Sequence, residues 1–166
     1  MNFLISFKQI KNNTFKKENI FFILIILITF FLDRLTKSKI ISSFSESTYY
    51  LNDYINLDLI WNIGIGFGLL SSDSSFVYNT VTLIIFSVLL ILLYFLIISE
   101  TVDKFIYSII LGGALGNFYD RLIFKAVPDF IDLHFNNLHW FTFNVADIFI
   151  TIGILAFIIK SFFANN

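Results

Sequence analysis

Asp33, Asp120 and Asp147, with Asn117, Asn144 and Lys37, are the residues of this 166-residue chain whose types and spacing could do chemistry together. Asp33 and Lys37 are four apart, and Asn117–Asp120 and Asn144–Asp147 are three apart, so on a helix each pair shares a face. Two carboxylates held within hydrogen-bonding range cannot both ionise readily; they share a proton and titrate as a pair. The ionised member can take a proton from water while the protonated member supplies one, as in aspartic proteases. The plainer reading is that Asp120 and Asp147 only neutralise Arg34, Arg121 or Lys37 and lock helices together. Two such aspartates on adjacent helices, each with an asparagine one turn earlier, favour the chemical reading.

Other chemistries have less to stand on. The chain has no Cys, which removes disulfides, thiolate catalysis and Cys-based metal sites together. His134 and His139 are five apart with no H-E-x-x-H spacing, so no zinc protease is expected and no metal ligand is assigned. Thr36 and Lys37 are adjacent, and adjacent helical residues point about 100° apart, which is poor placement for a Thr–Lys dyad. The G-I-G-F-G run at Gly64–Gly68 has no P-loop Lys and is read as a turn that lets the backbone come close to the site.

The elements that must hold these residues follow from composition. Hydrophobic residues make up 57%, charged residues 14%, and the mean hydropathy is +0.82. Soluble domains run nearer about 25% charged. A net charge of -1 gives no basic face for nucleic acid, and so apolar a chain is neither a soluble enzyme nor a disordered segment. The expected fold is an all-α polytopic membrane protein forming one domain over 1–166. Its four transmembrane helices lie near 20–37, 76–98, 105–122 and 145–163, each close to the roughly 20 residues a bilayer requires. The intervening segments near 38–75 and 123–144 are expected on the extracytoplasmic side. Ile55–Trp61 alternates like a half-buried strand, His139–Asn144 alternates more weakly, and the two could pair in a small β-structure at the membrane surface.

Lys8, Lys11, Lys16 and Lys17 precede the first span, whereas the segment after it is poor in Lys and Arg. The positive-inside rule then places both termini in the cytoplasm, and Trp61 and Trp140 fall on the outer side. The first and third spans run outward and end with Asp33, Arg34, Lys37 and with Asn117, Asp120, Arg121. The fourth runs inward from Asn144 and Asp147. Three carboxylates thus arrive at one outer depth, where charge is costly and marks a functional site. Gly112 and Gly116 form a G-x-x-x-G pair that admits another helix closely, and such packing is expected to bring Asp120 near Asp147.

With these motifs in place, the chain resembles the lipoprotein signal peptidases (signal peptidase II). The likeness rests on G-G-A-x-G-N-x-x-D-R at Gly112–Arg121 and F-N-x-A-D at Phe143–Asp147, supported by D-x-x-T-K at Asp33–Lys37 and V-x-D-F at Val127–Phe130. A fifth motif runs through Asn62, Gly64 and Phe67, with Gly66 where Ala is usual. The resemblance implies an aspartyl endopeptidase of the bacterial inner membrane. It implies that Asp120 and Asp147 are the catalytic dyad, and that Asn62, Asn117, Arg121 and Asn144 line the site. Asp33, Lys37, Gly64 and Asp129 are expected to support it, Asp129 by orienting the outer segment. Implied partners are diacylglyceryl-modified prolipoproteins, cut before the lipidated Cys, and membrane lipid; no cofactor and a monomer are expected. The stretch between Arg121 and Asn144 is longer than the family leads one to expect. A proton-coupled transporter or an assembly factor is the alternative, but a transporter would carry its ionisable groups near the midplane.

Overall fold

The computed structural model of the chain describes residues 18–43, 48–64, 75–136 and 138–164. The basic residues Lys8 to Lys17, together with Gly66, Phe67 and Gly68, lie outside the described residues. The elements in order are α1 (Glu18–Ser43), β1 (Tyr49–Asn52), β2 (Ile55–Asn62), α2 (Ser75–Ile98), α3 (Thr101–Phe124), β3 (Val127–Phe135), β4 (Leu138–Phe143) and α4 (Val145–Ala164). Three helices, α1, α2 and α4, are long and apolar enough to cross a membrane. Most of their large side chains face outward, among them Ile28, Phe31, Leu90, Ile91, Leu155 and Ile159. A chain folded in water would hide such a surface.

Helix α3 is as long as α2 but is built differently. It packs against α1, α2 and α4, so its faces meet protein on three sides. Its glycines set the distance. A Cβ on Gly112 would lie 2.7 Å from the Ile26 carbonyl of α1, and one on Gly113 would lie 2.7 Å from the Ala146 carbonyl of α4. A Cβ on Gly116 would overlap the Asp33 carboxylate. The partner that Gly112 and Gly116 admit is therefore α1, while Gly113 admits α4. Helix α3 ends at Lys125, a left-handed residue whose N–H returns to the Arg121 carbonyl at 3.1 Å. That cap turns the chain directly into β3.

The strands form one antiparallel sheet in the order β1-β2-β3-β4. The fold is thus helical with a small sheet, more than an all-α bundle. The expected pairing of the 55–61 and 139–144 segments does not occur, because β3 lies between them. The first half of this strand, Val127–Phe130, is buried on both faces and does not alternate, while Ile131–Phe135 does; the strand places Asp129 on one face and Asp132 and His134 on the other. Helix α1 also continues through 38–43, where Ile40 is buried.

Gly113→Ala should cost about 1–3 kcal/mol of stability, because the new methyl meets backbone, which cannot rotate away. The thermal midpoint in detergent measures it; an unchanged midpoint would show that α3 and α4 can separate freely.

Candidate active site

The site is assembled where α4 begins. Asn144 precedes the helix, and its side-chain Oδ1 accepts the Asp147 N–H at 3.1 Å while Asp147 Oδ2 accepts the Asn144 N–H at 3.1 Å. This reciprocal pair is a capping box with Asp in the third helical position. The three-residue spacing of Asn144 and Asp147 is therefore realised as a cap. Asp33, reaching over from α1, accepts the Ala146 N–H at 2.9 Å and satisfies another donor of the same first turn.

Lys37 ties α1 to α3. Its ammonium is fully buried and lies 2.8 Å from Asp33 Oδ2 and 2.8 Å from Asp120 Oδ2. It also donates to Asn117 Oδ1 at 2.7 Å. With its oxygen held by Lys37, the Asn117 amide turns its Nδ2 to Asp147 Oδ1, at 2.8 Å. Arg34 pairs with Asp120 Oδ1, and its guanidinium lies over the Tyr119 ring at 4.8 Å.

A cavity of about 600 Å³ opens between α2, α3 and α4 beneath the sheet. Its polar end is formed by Asn62, Asn117, Arg121, Asp129 and Asp147; below them the wall is apolar, with Val88, Leu92, Ile110 and Ile154. Asp129 reaches this end from β3, 3% exposed. It accepts from Asn62 Nδ2 at 2.8 Å and from Asn144 Nδ2 at 2.6 Å. Burial pushes its carboxyl up to about 6, and the charge of Asp147 adds to this; the two amide donors and Lys37 pull the other way. Arg121 Nη2 donates to the Gly64 carbonyl, and the Gly64 N–H donates to Asn62 Oδ1 at 2.8 Å. Arg121 Nη1 is buried without a partner among the described residues.

The structure gathers every expected site residue at one end of the helices, but it sorts the carboxylates differently. Asp120 does not line the cavity; it is fully buried, with one oxygen toward Arg34 and the other toward Lys37. Its near carboxylate neighbour is Asp33, whereas that of Asp147 is Asp129. The expectation that helix packing brings Asp120 to Asp147 is thus corrected: Asn117 stands between them, engaging Lys37 and Asp147. Charge balance agrees. Asp33 and Asp120 are paired directly with Lys37 and Arg34, whereas Asp129 and Asp147 make no direct ion pair among the described residues and take the charges of Arg121 and Lys37 from farther off. The second group is neutral when one of its carboxyls keeps a proton. Sequence reading gave Asp129 only an orienting role and did not find Tyr78, whose hydroxyl donates to the Arg121 carbonyl. Nothing in the pattern around Tyr78 distinguishes it from other aromatics at a helix end.

Comparison with known proteins agrees with the fold. The profile of the signal peptidase (SPase) II family matches residues 25–163. A lipoprotein signal peptidase of Pelagibacter ubique is 46% identical over 147 residues, covering 87% of this chain and 89% of the relative. One from Thermodesulfovibrio yellowstonii is 41% identical over 146 residues, covering 87% and 94%. A bacterial membrane enzyme solved by the in meso method at 2.3 Å superposes with a TM-score of 0.73 at 30% identity, covering 87% of this chain and 89% of that one. Another, at 1.9 Å, gives 0.70 at 30% identity, covering 84% and 90%.

The infrared carboxyl band that disappears in Asp129→Asn should titrate near pH 6. Asn62→Ala removes a donor to the ionised form, so it should move that titration to higher pH. A downward movement would show that the amide does not stabilise the carboxylate.

Proposed function

We propose, since the chain belongs to the signal peptidase II family, that it is an aspartyl endopeptidase of the bacterial inner membrane that cuts diacylglyceryl-modified prolipoproteins before the lipidated Cys. The observation that carries the mechanism is that Asp129 and Asp147 face one cavity, joined through Asn144. Asp147 sits in the first turn of α4, where the positive end of the helix dipole favours an anion. Asp129, raised to about 6, is the partner that carries the proton. Asp147 takes a proton from a water as its oxygen attacks the scissile carbonyl carbon, and Asp129 gives its proton to the carbonyl oxygen. The proton gained by Asp147 then passes to the amine nitrogen as the C–N bond breaks, and a hydroxyl of the tetrahedral diol returns its proton to Asp129, leaving the carboxylic acid product. Arg121 Nη1 is a spare donor for a substrate carbonyl, and no cofactor takes part. In this reading Asp120 holds the ion cluster that positions Asn117 and has no part in proton transfer.

The topology we propose has four spans with both termini cytoplasmic. Helix α3 supports a fourth crossing because its charges lie at its ends and are matched. Asp103 pairs with Lys160, Lys104 donates to Asn19 at 2.9 Å, and Asp120 meets Arg34 and Lys37. The stretch between, Phe105–Tyr119, carries no charge. The tight turn at Ser99–Glu100 sends α3 back antiparallel to α2, at the end remote from the site. The exposed Tyr50, Leu138 and Trp140 suit a sheet lying against the outer membrane surface. Lipid anchoring then fixes the depth of the scissile bond, and a site built at that depth gains from proximity.

Cleavage of a lipidated precursor should fall about a hundredfold to ten-thousandfold in Asp129→Asn and in Asp147→Asn, with folding retained. Asp120→Asn should instead lose about 3–5 kcal/mol of stability, because Lys37 and Arg34 lose a buried partner, while its folded fraction still cleaves. Normal cleavage by Asp129→Asn, or a stable but inactive Asp120→Asn, would return the dyad to Asp120. In the wild type, kcat/KM should decline as pH rises through about 6, where Asp129 loses its proton; a flat profile there would remove Asp129 as the acid.

A further inference from the structure

Hydroxyl groups within these helices have a common habit. Thr29, Thr36, Thr82, Ser87 and Ser108 each donate to a main-chain carbonyl one turn earlier, at 2.7–3.1 Å. In apolar surroundings this is expected, because an unpaired hydroxyl there is costly. Thr151 of α4 departs from this habit, as do Ser38 and Ser161, but of the three only Thr151 lines the cavity. It makes no hydrogen bond among the described residues, and it lies on the wall of the cavity that holds Asp129 and Asp147. Four residues beyond Asp147, it shares that residue's helix face and sits one turn, about 6 Å, farther from the sheet. Around it the wall is apolar, with Ile110, Ala114, Ile150 and Ile154. A polar donor at that depth serves neither the dyad nor the packing.

We propose that Thr151 is a specificity-determining residue that donates its hydroxyl proton to an ester carbonyl of the substrate's diacylglyceryl group. The inference rests on the cleavage reading above. With the peptide bond between Asp129 and Asp147, the side chain of the lipidated Cys leaves the reacting centre through its thioether. The glyceryl ester carbonyls follow at a distance comparable to one helical turn. They are acceptors only, so a lone hydroxyl donor suits them, and the acyl chains continue along the apolar wall. Thr151 touches no reacting atom; it selects and places the lipid arm.

The test uses the full-length protein in detergent with two synthetic precursor peptides, one carrying an S-diacylglyceryl Cys and one its dialkyl ether analogue. Cleavage of the diester peptide by the wild type first establishes the underlying activity; its absence would sink the cleavage reading itself. Thr151→Val, which keeps the shape and removes the donor, should raise KM for the diester about three- to tenfold with kcat unchanged. Thr151→Ser should restore it. The ether peptide should show the raised KM already in the wild type, with no further change in Thr151→Val. An equal effect on both peptides would move the bond to a peptide carbonyl and overturn the assignment. No effect on either would overturn it as well.

Discussion

The ammonium of Lys37 has three donors, no solvent exposure and three oxygens around it, from Asp33, Asp120 and Asn117. A charge buried among helices is tolerable only when it is matched in this way, and the matching fixes much else. It sets the rotation of α1 against α3, since Asp33 and Lys37 must both face the same side. It also fixes which end of the Asn117 amide points where, because an ammonium accepts no hydrogen bond and so selects the oxygen. The Asn117 nitrogen is left for Asp147. The ion cluster thus orients a carboxylate on α4 that Lys37 itself does not touch by hydrogen bond. Glycines make this possible, since a methyl at Gly116 would occupy the space of the Asp33 carboxylate.

Seen as charge, the outer end contains two neighbouring groups with different balances. One pairs two cations with two carboxylates and is buried apart from Arg34, which is partly exposed. The other holds two carboxylates that have no direct ion pair among the described residues, takes the charges of Arg121 and Lys37 from farther off, and opens on the cavity. Only the second has reason to hold a mobile proton, which is why chemistry is assigned there. The first group is structural in the sense that its charges offset one another across α1 and α3.

Much of this was legible in the sequence. The long apolar runs, the convergence of charged helix ends, and the gathering of Asp147, Asn117, Asn144 and Asn62 at one place all follow from spacing, hydropathy and family likeness. The choice between Asp120 and Asp129 did not. Span order fixes the depth of a residue but not its direction around the helix. Arg121 lies about 40° from Asn117 and faces the cavity, whereas Asp120 lies about 60° to the other side and faces α1. That small difference separates the two environments. Asp129 is obscured for another reason: the apolar–polar alternation of β3 covers only Ile131–Phe135, whereas the stretch Val127–Phe130 that carries the aspartate is buried on both faces and does not alternate.

Asp129 is carried by a strand and Asp147 by a helix, so the separation of the proposed dyad depends on how the sheet sits on the bundle. Asn144 occupies the point where β4 becomes α4, and it uses three of its groups to hold that joint. Its Nδ2 donates to Asp129, its main-chain N–H donates to Asp147 Oδ2, and its Oδ1 accepts from the Asp147 main chain. A residue fully buried at the junction of two elements can impose one distance between groups that neither element could fix alone. Asn62 repeats the arrangement from β2, taking Asp129 with its nitrogen and the Gly64 N–H with its oxygen, while Arg121 secures the Gly64 carbonyl. The sheet is therefore more than a cover over the helices. It delivers one of the two carboxylates, and amides from two different strand ends hold that carboxylate in register with the helix that brings the other.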